Sequence, residues 1–255
     1  MTDRRRHRRW GFALGILLAL GTGMIAGPAL AQSLNLDLGE GGGSSTARII
    51  QMIALLTVLS LAPSILIMTT SFTRIVIVLS FLRSAMGVQQ VPPNTVMISL
   101  ALFLTFFIMA PVFEQSYQQG ILPLINEDID EMEAFQRTAA PLKTFMLGHT
   151  RERDLMLFAD MAKLKEVKGP QQLPLQVVIP AFMISEIKRA FEIGFLLFLP
   201  FLIIDMVVAS ILMSMGMMML PPAMVALPFK VIFFVLVDGW YLISGSLVKS
   251  FGTVQ

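Results

Sequence analysis

Residues 213–222 read MSMGMMMLPP. Five methionines fall in its first seven positions, Gly216 stands among them, and Pro221-Pro222 closes the run. Long apolar segments flank it, residues 190–212 before and 224–247 after. Apolar runs of about 20 residues are long enough to cross a bilayer as helices, and two of them joined by a Gly- and Pro-marked turn make a helical hairpin. That reading makes the chain all-α and membrane-associated. Methionine is unbranched, apolar and adaptable in shape, so a turn built from it can fill a gap whose outline changes. Two roles are open for the turn on residue type alone: filler in a tight connection between two membrane helices, or a deformable seal in a pore.

The composition agrees with a membrane setting. Of 255 residues, 55% are hydrophobic and 14% charged, against about 25% charged in soluble domains. There is no cysteine, which excludes disulfides, thiolate metal sites and cysteine nucleophiles. Arg4, Arg5, Arg6, Arg8 and Arg9 precede an apolar run from Trp10 to about Ile25, and Ala29-Leu30-Ala31 follows. Basic region, apolar region and small-x-small ending are the parts of a secretory signal peptide. Cleavage after Ala31 is expected, because Gly21, Gly23, Gly27 and Pro28 interrupt the run; an uncleaved first membrane helix is the rival. Removal of those five arginines and Asp3 takes the formal charge from +2 to −2. The basic patch is therefore an address and not a nucleic-acid surface.

The mature part divides into four stretches. Residues 32–46, with Gly39, Gly41, Gly42, Gly43, Ser44 and Ser45, are a flexible linker. Residues 47–113 form a first helical hairpin, kinked at Pro63 and Pro111 and interrupted at 87–94, where Pro92-Pro93 precedes a helix-capping Asn94. Residues 114–180 hold most of the mature charges, including Glu127, Asp128, Asp130, Glu131 and Glu133. They read as a small extracytoplasmic (periplasmic) helical segment, with one amphipathic helix over 154–167. Residues 181–255 form the second long kinked hairpin, with the Met-rich loop 213–222 at its turn.

Charges inside the apolar runs need partners. Glu186 and Arg189, and Lys188 and Glu192, are spaced to neutralise each other as an interfacial ion-pair cluster on one helix. Asp205 lies deep in an apolar run, where a charge costs about 3 kcal/mol. Lys230 and Asp238 lie in the last segment, eight residues apart and so unable to pair along one helix, and Arg74 interrupts the first hairpin. Partners on other helices or other subunits are required; a proton or ion relay is the functional alternative. Enzyme chemistry lacks its parts. His149 stands alone on a polar segment and reads as a surface residue; no HExxH, P-loop or GxSxG occurs. Neither cofactor nor metal is expected, which leaves transport or assembly.

Two long stretches carry a resemblance. Residues 73–112, TRIVIVLSFLRSAMGVQQVPPNTVMISLALFLTFFIMAPV, and residues 177–222, VVIPAFMISEIKRAFEIGFLLFLPFLIIDMVVASILMSMGMMMLPP, resemble the signature regions of the FliP family of flagellar type III export proteins, related to the injectisome SctR proteins. The resemblance implies a core subunit of the flagellar protein export gate in the bacterial inner membrane, at the flagellar basal body, with a large periplasmic part. It implies about five copies closing a helical pore with FliQ and FliR, FlhB and FlhA nearby, and unfolded flagellar subunits as cargo. On the same ground, Met217, Met218 and Met219 become a channel gasket, supported by Met213, Met215, Gly216, Pro221 and Pro222. Asp205, Lys230, Asp238 and Arg74 become buried charges at subunit contacts. The rival is a small-solute or ion transporter using Asp205 and Lys230.

Overall fold

The computed structural model describes residues 45–88, 90–164, 169–217 and 219–252. The expected signal peptide, residues 32–44 of the linker, and Met218 lie outside them. The chain divides into two units, Met1–Met52 and Ile53–Gln255. Of the first, residues 45–52 are described, as the start of helix α1 (Ser45–Met68). Everything below concerns the second unit. All regular structure among the described residues is helical.

From Ile53 onward the described side chains of α1 are exposed up to Met68. The helix ends where Thr69, Thr70 and Ser71 supply hydroxyls in a row: Thr69 Oγ1 donates to the Ile65 carbonyl at 3.0 Å and Thr70 Oγ1 to that of Ile67 at 3.2 Å. Such side-chain bonds compete with helix continuation. Helix α2 (Phe72–Met86) then forms the central strut. Ile75, Val78, Leu79, Leu82 and Ala85 are fully buried, at the three- and four-residue spacing of a helix stripe. It stops at Gly87, whose φ of 76° is the left-handed conformation that suits glycine at a helix end.

Helix α3 (Asn94–Ser116) runs through Pro111 into a π-helical turn, Tyr117–Ile121, and a short α4 (Leu122–Ile125). Asn94 does not cap α3 as its sequence position suggested. Pro93 occupies the cap position, and the Asn94 side chain accepts a hydrogen bond from Arg83 of α2. Helix α5 (Glu131–His149) starts at Asp130, whose side chain accepts from the Glu133 N–H at 2.7 Å, a carboxylate cap on a positive helix end. The π turn meets α5 closely: a Cβ on Gly120 would collide with Thr138 and with the Ala134 carbonyl. The expected helix over 154–167 is α6, Glu152–Met161; it ends sooner because Lys163 is left-handed, with φ 56°, and Val167 lies outside the described residues.

Helix α7 (Leu175–Ser214) is 40 residues long, passing through Pro180 and Pro200 without a break. At 1.5 Å per residue it is about 60 Å long, twice a bilayer's hydrocarbon thickness. The last apolar segment, expected to be continuous, is two helices, α8 (Pro222–Leu236) and α9 (Gly239–Lys249), bent by 63°. The hinge is Asp238, left-handed at φ 50°. The Phe234 ring occupies the space where a side chain on Gly239 would go, so glycine there lets the two helices turn sharply.

Three helical stretches have the length and composition to cross a membrane, Ile49–Met68, Asn94–Ile125 and Leu175–Ser214, and the bent pair α8–α9 makes a fourth if it counts as one span. Two apolar cores hold the second unit together. One gathers α2 with Ala101 and Ile108 of α3, Ala190 and Phe201 of α7, Phe234 of α8, and Ile243, Leu247 and Phe251 at the end of the chain. The other joins Met146 of α5, Leu155 of α6, and Val177, Val178, Ala181 and Phe182 of α7. Phe145 packs against both.

Candidate functional site

The buried charges define one side of the site. Arg74 and Glu186 are both 0% exposed and form a bidentate pair between α2 and α7: Nε donates to Oε2 at 2.8 Å and Nη2 donates to Oε1. Arg74 Nη1 donates to both the Ser250 carbonyl and the Ser250 hydroxyl at 3.0 Å. Its guanidinium carbon sits 3.7 Å from the centroid of the Phe251 ring. A buried ion pair is tolerable only when the remaining donors also find partners, and here residues 250–251 supply them.

Lys230 makes the second link. Its Nζ donates to Asp205 Oδ2 at 2.6 Å and to the Ala85 carbonyl at 3.2 Å. The Ala85 carbonyl belongs to the last turn of α2, where a cation is favourable. One lysine thus ties α2, α7 and α8 together. Asp205 is 31% exposed at its side chain, and its Oδ1 is buried without a partner among the described residues. Both pairs, Arg74–Glu186 and Lys230–Asp205, close within one chain. The remaining expected charges fall elsewhere. Glu186 turns to Arg74 and not to Arg189, because Glu186 faces the α2 seam while Arg189 lies half-buried to its side. Lys188 and Glu192 pair at 3.3 Å on an exposed face. Asp238 is exposed at the α8–α9 hinge.

A third cluster was not visible in the sequence. Asp154 of α6 is buried; its Oδ2 accepts from the Ser185 hydroxyl at 2.6 Å and from Arg151 Nε at 2.8 Å, and the Arg151 N–H donates to Ser185 Oγ at 3.1 Å. Burial pushes the Asp154 carboxyl up, but the Ser185 and Arg151 hydrogen bonds and the charges of Arg151 and Arg153 outweigh it and hold it below its ordinary value. His149 also corrects its sequence reading. It is half-buried, with Nδ1 2.8 Å from the Phe145 carbonyl and Nε2 3.2 Å from the Phe251 carbonyl. Arg151–Asp154 and His149–Phe145 sit at helical spacing, but no short-range spacing signals the Ser185–Asp154 and His149–Phe251 contacts, which join residues 31 and 102 positions apart.

The methionine loop is the other side of the site. Helix α7 ends in a tight turn in which the Met217 N–H donates to the Leu212 carbonyl at 3.0 Å and the Gly216 N–H to that of Met213 at 3.1 Å. Gly216 is left-handed at φ 73°. This 6→1 and 5→2 pair is the Schellman motif, with glycine at the position that needs it. Pro221 caps α8 and Pro222 opens it, where the missing N–H costs nothing. Met213, Met215, Met217 and Met219 are all exposed, Met219 at 98%. Their thioethers project from the turn with no core to fill among the described residues; the ends of the loop, Met213 and Pro222, each lie eight residues beyond the Lys230–Asp205 tie.

A model of the FliP family matches residues 55–247. The chain is 59% identical over 239 residues to the flagellar biosynthetic protein FliP of Caulobacter vibrioides, covering 93% of this chain and 90% of the relative. It is 57% identical over 202 residues to that of Bacillus subtilis, covering 79% and 91%, and 52% identical over 244 residues to that of Rhizobium meliloti, covering 94% and 98%. The match spans α2, both buried ion pairs and the methionine loop, and on that ground the chain belongs to the FliP family.

Proposed function

We propose that the chain is a core subunit of the flagellar protein export gate and that several copies, with FliQ and FliR, line a channel for unfolded flagellar subunits. FlhB and FlhA lie nearby in this reading, and the assembly sits at the inner membrane within the basal body. Membership of a family whose relatives are named flagellar biosynthetic proteins supports it. The single structural observation that carries the channel role is the methionine loop, which presents exposed thioethers at the tip of two apolar helices. One copy gains nothing from four exposed methionines; a ring of copies buries them against one another. Thioether contacts exclude ions without offering ligands to hold them, and the unbranched chains reshape around a passing polypeptide. Met217, Met218 and Met219 form the gasket in this reading, with Met213, Met215, Gly216, Pro221 and Pro222 shaping the loop. Asp238, exposed at the hinge, is the charge placed to meet a neighbouring subunit.

Alanine at Met217, Met218 and Met219 together is expected to leave co-purification with FliQ and FliR intact while admitting small ions. Ion conductance across membranes containing the assembly measures the leak, and a complex as tight as the parent overturns the gasket. One observation favours the rival transporter: Asp205 Oδ1, beside Lys230, has no partner among the described residues. Asp205→Asn separates the two readings. A transporter keeps its assembly and loses coupling, whereas a gate subunit loses assembly.

A further inference from the structure

Ser250 and Phe251 follow α9 and meet residues far earlier in the chain. Arg74 lies 176 positions before Ser250, and His149 lies 102 before Phe251. Glu186 covers one edge of the Arg74 guanidinium; the Ser250 carbonyl and hydroxyl cover another, and the Phe251 ring covers a face. The same turn is gripped from α5. The Phe251 ring stacks on Phe145 at 6.1 Å and 18°, and the Phe251 carbonyl faces His149 Nε2. Side chains from two helices thus meet the two carbonyls that follow α9: the Arg74 guanidinium donates to that of Ser250, a favourable pairing at a helix C-terminus, and the His149 ring lies against that of Phe251. Without this turn, Arg74 loses two acceptors and its ring, and water reaches the ion pair.

We propose that the Ser250-Phe251 turn is a latch that dries and locks the Arg74–Glu186 seam. Both partners of the ion pair lie on α2 and α7, so the pair can form without residues 250–251, but the far sides of the guanidinium are closed only by them. An unlatched chain keeps its helices and opens locally at this seam, the behaviour of a low-stability local unit.

The chain has no cysteine, so one introduced cysteine reports the seam. Ser71 is fully buried three residues before Arg74, and its hydroxyl has no partner among the described residues, which makes Ser71→Cys a near-isosteric probe. The full chain carrying it is labelled with a maleimide in detergent, and the labelling rate follows the open population. Phe251→Ala, and a chain ending at Lys249, are expected to label about tenfold faster than the parent, an opening shift of about 1.4 kcal/mol. A chain ending at Gly252 keeps the latch and labels at the parent's rate. Phe251→Leu fills most of the volume but offers the guanidinium no ring, and it is expected to label nearly as fast as Phe251→Ala. A Phe251→Leu chain that labels at the parent's rate reduces Phe251 to filler and overturns the latch. In an Arg74→Met, Glu186→Met background the effect of Phe251→Ala is expected to shrink about threefold or more through lost coupling; an undiminished effect there overturns it as well.

Discussion

Glu186→Gln keeps the volume at a position with no access to solvent and removes the charge that Arg74 faces. The guanidinium cannot give up its proton and has no water to turn to. Ser250 and the Phe251 ring remain on its other sides, but neither carries negative charge. Breaking a buried pair by removing one partner costs about 3–5 kcal/mol. In a domain of this size each kcal/mol lowers Tm by about 2–4 °C, so a fall of roughly 6–20 °C is expected. Replacing both partners, Arg74→Met with Glu186→Met, removes the desolvation cost together with the attraction. What remains is the Ser250 carbonyl left without its donor, about 1–3 kcal/mol; the Ser250 hydroxyl still donates to the Leu247 carbonyl at 2.8 Å. The double variant is therefore expected to melt above the single one. Thermal melts of the detergent-purified chain at one scan rate measure the three proteins. A single variant within about 2 °C of the parent, less than 1 kcal/mol by that conversion, or a double variant less stable than the single, refutes this account of the pair.

Gly216→Ala places a Cβ in a left-handed turn residue and is expected to cost about 1–2 kcal/mol, read as a lower melting temperature of the detergent-purified chain. Gly120→Ala drives a methyl into the α5 backbone and is expected to be the more damaging of the two, seen as lost accumulation or faster proteolysis in the 117–138 region. Asp154, whose carboxyl is held below its ordinary 3.8, contributes stability that is complete above that value and disappears as pH falls through the lower, folded one. Melts of the parent and Asp154→Asn are expected to differ by a constant amount from pH 5 to 8 and to converge only below about pH 3.8; convergence already at pH 5 contradicts the assignment.

The helical class was legible because long apolar runs admit few alternatives, and the loop at 213–222 was legible because Gly216 interrupts the methionines and Pro221-Pro222 closes the run. The need of Asp205 and Lys230 for partners followed from the cost of charge in an apolar run, and each supplies the other's need. The identity of partners was legible only at helical spacing. Lys188–Glu192 obeys the four-residue rule, whereas Glu186 satisfies the three-residue rule with Arg189 on paper and pairs instead across 112 residues with Arg74. Local spacing says which pairs can meet, and burial decides which do. The same limit hid Asp154, Ser185 and His149, each polar residue unremarkable until a second helix arrives. The break at Asp238 was missed because hydropathy does not register a backbone angle.

Helix α7 carries ten buried residues, eight of them between Val177 and Gly194, and beyond those only Phe201 and Leu212. Mechanically it is a beam clamped along its first half and overhanging for the second, a cantilever of about 30 Å at the helical rise. The methionine loop rides on its free end. A cantilever yields most at its tip for a given load, and Lys230–Asp205 acts as a guy-line partway along the overhang. The stiffness of the tip then depends on that ion pair, on the packing of Phe201 against Phe233 and Phe234 of α8, and on Pro200 near the clamp, elements that can be changed without touching a methionine.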